Sequence, residues 1–161
     1  MPEVYASIGS NIDREHNIRS AISVLKQHFG QILLSSVYQS RAVGFDGDDF
    51  LNLVISFESD LPPAIIQQRF RDIEAEHGRQ RGGKAFAPRS LDIDLLLYDD
   101  LILNNGELRL PRDEIQKYAF VLGPLAEISP QRTHPETGTT YAQMWREFSG
   151  PKEISKIEFE Y

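Results

Sequence analysis

The sequence predicts an α+β domain built on one antiparallel sheet, with helices on one face and extra elements near the C-terminus. Three observations predict it. Apolar residues recur at strand spacing in several separated segments, and two segments between them carry apolar residues at helical spacing. Glycine- and proline-bearing stretches punctuate the boundaries.

Val4, Ala6 and Ile8 alternate with Tyr5 and Ser7, a strand that Gly9-Ser10-Asn11 ends. From about residue 14 to 29, Ile18, Ala21, Ile22, Leu25 and Phe29 share a helical face, and Gly30 is a stop signal. Residues 32–40 are apolar and β-branched enough for a second strand. Residues 41–49 (RAVGFDGDD) read as a loop. FLNLVISFE at 50–58 is a third strand: Leu51, Leu53, Ile55 and Phe57 face one way, Phe50 and Asn52 the other. Pro62-Pro63 opens a second helix, with Ile66, Phe70, Ile73 and His77 along one side. Residues 78–90 form a loop with three glycines and a proline. LDIDLLLY at 91–98 is the fourth strand, with Ile93, Leu95 and Leu97 expected on the core face. Beyond it, 101–103 suits a hairpin strand, 119–125 is an apolar run and 141–148 suits a short helix in which Trp145 packs. The charged last residues read as peripheral. The order is the βαββαβ arrangement of ferredoxin-like domains, and with no repeat or linker residues 1–161 read as a single domain. Such a fold hosts many functions, so function must come from the site.

Bulk properties remove several classes. The 161 residues match one ordinary domain. Without cysteine there is no disulfide framework, thiolate nucleophile or Cys-based zinc site, which fits a reducing cytoplasm. A net charge of −7 argues against a nucleic-acid partner. No apolar run approaches the roughly 18 residues of a membrane span, and MPEVYASIGSN lacks a signal-peptide pattern. The expectation is a cytoplasmic monomer that binds neither membrane nor nucleic acid. His16, His28, His77 and His134 lack ligand spacing, and Ser7, Ser10 and Ser90 lack triad partners.

Asp92 and Asp94 lie two apart on one strand, so both carboxylates aim the same way, roughly 7 Å apart. Two such carboxylates repel unless a cation joins them, and magnesium suits all-oxygen ligands while leaving positions for phosphate and water. Alone, D-x-D also describes a solvated face. Here the strand is apolar around the pair, and a loop bearing Arg79, Arg81, Lys84 and Arg89 runs directly into it. Arginine forks match phosphate oxygens, and phosphoryl transfer needs positioned charge more than covalent help. The combination predicts a magnesium–triphosphate site without a P-loop. Phe50 and Asn52, with Phe120, make a slot for a flat heterocycle, and equally describe ordinary core and edge residues.

GSN at 9–11, FLN at 50–52, E-x-x-x-G-R at 74–79, PRSLDIDLLLY at 88–98 and AFVLGPL at 119–125 resemble the 6-hydroxymethyl-7,8-dihydropterin pyrophosphokinase family. The likeness runs from the first strand to about residue 130. It implies transfer of pyrophosphate from ATP to the pterin hydroxymethyl group, releasing AMP, in folate synthesis. It implies two magnesium ions on Asp92 and Asp94, with Arg79 and Arg89 on the triphosphate. Glu74, Arg81, Phe86, Leu95 and Arg112 would join the ATP site. Ser40, Val43, Gly44, Phe50, Asn52 and Phe120 would form the pterin pocket. Two positions depart from the pattern: the histidine usual after Pro111 is Arg112, and the arginine usual before Ala119 is Tyr118. These departures keep open a second reading, a binder that retains the pocket without turnover.

Overall fold

The computed structural model describes residues 1–41, 49–78 and 91–161. The chain runs β1 (Glu3–Ser10), α1 (Arg14–Phe29), β2 (Leu33–Leu34), β3 (Val37–Ser40), β4 (Phe50–Glu58), α2 (Pro63–Glu76) and β5 (Asp92–Tyr98). It continues through β6 (Leu103–Asn104), β7 (Arg109–Leu110), α3 (Glu114–Lys117), α4 (Ala119–Ile128), α5 (Tyr141–Arg146) and β8 (Ile154–Ile157). The main sheet has the order β5-β1-β4-β3-β8, with β2 also on β4 and every pairing antiparallel. Its first four strands in that order are the expected βαββαβ sheet. Among the described residues no helix is long and apolar enough to cross a membrane.

The sheet buries both faces. Ile18, Ala21, Ile22 and Leu25 of α1 and Ile66, Phe70 and Ile73 of α2 pack on the face that carries Ala6, Ile8, Leu51, Leu53 and Ile55. The period-two and period-3.6 stripes therefore meet as the sequence predicts. Phe57 stacks on Phe29 at 4.3 Å between centroids and meets Phe70 edge-on at 6.4 Å. The opposite face has a second core, where Tyr5, Val54, Leu96 and Leu97 meet Ile115, Val121, Leu122, Leu125 and Tyr141 from α3, α4 and α5. The C-terminal extras thus form a layer of their own on that face.

Three details differ from expectation. The second strand is broken into β2 and β3 at Ser35 and Ser36. Ser35 accepts the Val54 N–H with its own hydroxyl and donates its N–H to Val54 O, a side-chain bond that replaces a ladder bond and interrupts the strand. Leu97 faces the second core, not the face of Ile93 and Leu95. The β1–β5 register shifts between Tyr5 and Ala6, leaving Leu96 as an extra residue that inverts the alternation beyond it. The C-terminal residues are not loose: β8 pairs with β3, Phe159 packs against the first core, and Tyr161 donates its hydroxyl to Ser35 O at 3.0 Å. The otherwise unpaired edge of β3 gives this segment its ladder.

Candidate active site

The site is a row across the sheet. Gly9 of β1 pairs with Asp92 on one side and with Asn52 on the other, and Ser7 pairs with Asp94. Strands lie about 4.8 Å apart, so the Asp92 and Asn52 backbones stand about 10 Å apart with Gly9 between them. Asp92, Asp94 and Asn52 share the face opposite the α1–α2 core because their neighbours Ile93, Leu95, Leu51 and Leu53 belong to that core.

The carboxylate pair is held tightly. Glu74 of α2 is buried, accepts the Ile93 N–H at 2.8 Å and pairs with Arg71 Nη1 at 3.0 Å. It thereby clamps β5 at the residue between the two aspartates. Asp94 is only 11% exposed, with Arg112 Nη2 at 3.5 Å from its Oδ1. Burial first, then the charge of Asp92, pushes Asp94 up to about 8, with Glu114 and Glu74 adding to the rise against the lowering effect of Arg112. Burial opposes the charge on Arg112, yet Asp94 and Glu114 hold its pKa above the ordinary value. An acidic, desolvated, all-oxygen pair of this kind fits a divalent cation. Among the described residues no group of three His, Cys, Asp or Glu could hold a metal alone. The remaining ligands would be water or phosphate oxygens, which is how magnesium is usually bound.

The slot lies at the other end of the row. Asn52 is 7% exposed and its Nδ2 donates to Ser40 Oγ at 2.7 Å. That bond sets the amide plane and leaves one N–H and the carbonyl oxygen for a ligand. A Cβ on Gly9 would stand 2.9 Å from Asn52 Oδ1 and 3.7 Å from the Phe50 ring. The missing side chain therefore makes room for the Asn52 amide and the Phe50 ring over β1. Phe120 stacks on Tyr118 at 4.9 Å between centroids with 16° between the planes, so the aromatic at the departing position supports the expected ring partner.

Among the expected residues, Ser40, Phe50, Asn52, Glu74, Asp92, Asp94, Arg112 and Phe120 are described. Val43, Gly44, Arg79, Arg81, Phe86 and Arg89 lie outside the described residues. Leu95 is described as well: its side chain is 2% exposed in the α1–α2 core, because it alternates with the aspartates, which leaves its backbone as the part that would meet ATP. Sequence reasoning assigned no role to Gly9, Arg71 or Glu114. A glycine within a strand is the available signal for the first, since it marks close approach. The other two needed the tertiary contacts. The role of Glu74 can be measured directly: Glu74→Ala strands the buried Ile93 N–H and is expected to lower stability by about 2 kcal/mol in a urea melt. The half-exposed Arg71 pair adds little to that figure. An unchanged midpoint would mean β5 is clamped elsewhere.

With this geometry in place, comparison with known proteins is informative. Residues 5–130 match the model of the 7,8-dihydro-6-hydroxymethylpterin-pyrophosphokinase (HPPK) family. The 2-amino-4-hydroxy-6-hydroxymethyldihydropteridine pyrophosphokinase of Aquifex aeolicus is 36% identical over 137 residues, 84% of this chain and 85% of its own. The Bacillus subtilis protein of the same name is 34% identical over 162 aligned residues, covering 96% of each chain. The Plasmodium falciparum HPPK-DHPS crystal structure matches with a TM-score of 0.71 at 12% identity, over 92% of this chain. This chain spans 44% of that longer one, and the likeness there is one of fold. On the matched residues 5–130 and these identities, the chain belongs to the HPPK family.

Proposed function

We propose that residues 1–161 act as one magnesium-dependent enzyme that transfers pyrophosphate from ATP to the hydroxymethyl group of 6-hydroxymethyl-7,8-dihydropterin, releasing AMP. The observation that carries this reading is the row Asp92–Gly9–Asn52. It sets a cation-seeking carboxylate pair about 10 Å from an amide slot, close enough for one bound ring to present its hydroxymethyl oxygen to a phosphate held at the pair.

Asn52 reads the polar edge of the pterin with the groups that Ser40 leaves free, and Gly9 makes room for that amide over β1. Phe50 and Phe120 supply its aromatic contacts. Asp92 and Asp94 would hold two magnesium ions, which neutralise the phosphate oxygens and orient them for in-line displacement. Arg112 directs N–H donors at the same region. The pterin oxygen bonds to the β-phosphorus, the bond from that phosphorus to the α,β-bridging oxygen breaks, AMP departs and the hydroxyl proton passes to solvent. Glu74 keeps the carboxylates in position throughout by its grip on Ile93.

The deciding experiment incubates the protein with ATP, magnesium and the pterin and identifies the nucleotide product. AMP in step with pterin consumption is expected. ADP would mean that a different bond breaks. Calorimetric binding of both ligands with no nucleotide product would favour the binder reading.

A further inference from the structure

Arg112 does more in this geometry than lie near a triphosphate. Its backbone N–H donates to Leu96 O at 3.0 Å, which ties it to β5 beside Asp94. Its Nη2 is shared between Glu114 Oε1 at 2.8 Å and Asp94 Oδ1 at 3.5 Å. Its Nε is buried without a hydrogen-bond partner among the described residues. A guanidinium is permanently charged and carries five donors in a rigid fork. In this pose its positive charge stands between Asp94 and Glu114 while a buried donor is left unmade, and an unmade buried donor costs free energy that an added acceptor oxygen would recover.

We propose that Arg112 is a resident counter-ion of the aspartate pair that makes the site select a divalent metal already carried by a triphosphate over the bare metal ion. The proposal rests on Asp92 and Asp94 being the cation site. Without nucleotide, a hydrated divalent ion approaching Asp94 meets a positive charge at contact range and must displace it or share the carboxylate with it. With nucleotide, the phosphate oxygens offer acceptors to Nη2 and Nε together. The guanidinium then exchanges Asp94 for phosphate, and the carboxylate is freed for the metal as the metal arrives. Neither charge is stranded at any point, which is the condition for such an exchange in a desolvated site. Glu114 anchors the guanidinium throughout.

The test is manganese binding by electron paramagnetic resonance on the whole chain, with and without a non-hydrolysable ATP analogue. Arg112→Gln is expected to bind bare Mn2+ about tenfold tighter, the scale of one unit charge removed from a partly exposed contact. The same variant is expected to bind the Mn2+–analogue complex about tenfold more weakly through loss of a charge-assisted phosphate contact. Arg112→Lys retains the charge and should hold bare Mn2+ affinity within about threefold of the parent. Opposite signs for bare and nucleotide-borne metal are the signature, and changes of the same sign, or unchanged bare-metal affinity, overturn the proposal. Glu114→Gln is an independent arm should Arg112→Gln fail to fold: it releases the guanidinium to Asp94 and should weaken bare Mn2+ binding about threefold, and tightening there overturns the proposal. Asp94→Asn separates this inference from the reading beneath it. If Mn2+ binding survives Asp94→Asn, the pair is not the cation site. If Asp94→Asn abolishes binding while Arg112→Gln leaves bare-metal affinity unchanged, the role of Arg112 alone is refuted.

Discussion

Asp94→Ala is expected to lower AMP formation by roughly 10³-fold, the scale of losing a group that stabilises transition-state charge, while the circular dichroism spectrum stays that of the parent. Asp94 is 11% exposed and lies 3.5 Å from Arg112 Nη2 in the proposed cation site. Removing it takes away a proposed metal ligand and leaves Arg112 turned toward Glu114. Activity within tenfold of the parent would sink the assignment of the pair. The same residue makes a pH prediction with a definite sign. The folded protein without metal holds the Asp94 proton up to about 8, whereas the unfolded chain releases it near 3.8. Between those values the folded state binds the extra proton, so metal-free stability falls as pH rises through the window. Urea melts across that range should show the slope, and Asp94→Asn should flatten it. Magnesium with nucleotide should also flatten it, because a bound cation favours the ionised carboxylate.

Gly9→Ala is expected to raise the KM for the pterin by roughly 10- to 100-fold, with a smaller effect on kcat and little on ATP affinity. The added Cβ would stand 2.9 Å from Asn52 Oδ1, closer than real contacts allow, so Asn52 has to turn. Turning breaks the 2.7 Å bond to Ser40 Oγ and misdirects the amide proposed to read the ring. Losing matched hydrogen bonds in a desolvated slot costs about 1–3 kcal/mol, and about 1.4 kcal/mol is a factor of ten in affinity. Steady-state kinetics with each substrate varied in turn would reveal the split. A normal pterin KM would show that the ring lies elsewhere. Because Asp92 is the other register partner of Gly9, a rise confined to the pterin would also show that the two ends of the row are separable.

Much of the architecture was legible from pattern alone. The α1 and α2 stripes predicted the apolar part of their buried faces, Ile18, Ala21, Ile22 and Leu25 on one and Ile66, Phe70 and Ile73 on the other, since helical and strand periods are fixed by backbone geometry; the buried Asn17 and Glu74 lay outside the pattern. Pattern failed where one local bond overrode it. The Ser35 hydroxyl takes a ladder position and splits a strand, and the bulge at Leu96 inverts the facing of Leu97. Neither leaves a periodic trace. The same bulge lies beyond the aspartates, so their shared facing, which depends only on three consecutive residues, survived. The side chain of Leu95 is committed to the core by the alternation that frees Asp94.

The sequence by itself named Asp92, Asp94, Phe50 and Asn52 as candidate site residues and passed over Gly9. The D-x-D spacing, the FLN segment and the motif likeness all act over a few residues, where covalent geometry decides direction. Only the tertiary structure decided how those residues are joined. Gly9 becomes the floor between Asn52 and Asp92 through strand register, Glu74 becomes the clamp on Ile93 through α2 packing, and Arg112 becomes the counter-ion of Asp94 through its bond to Leu96 O. These links span separations that no local pattern encodes. They arise because burying both faces of the sheet leaves one arrangement in which the polar row stays hydrogen-bonded and charge-matched.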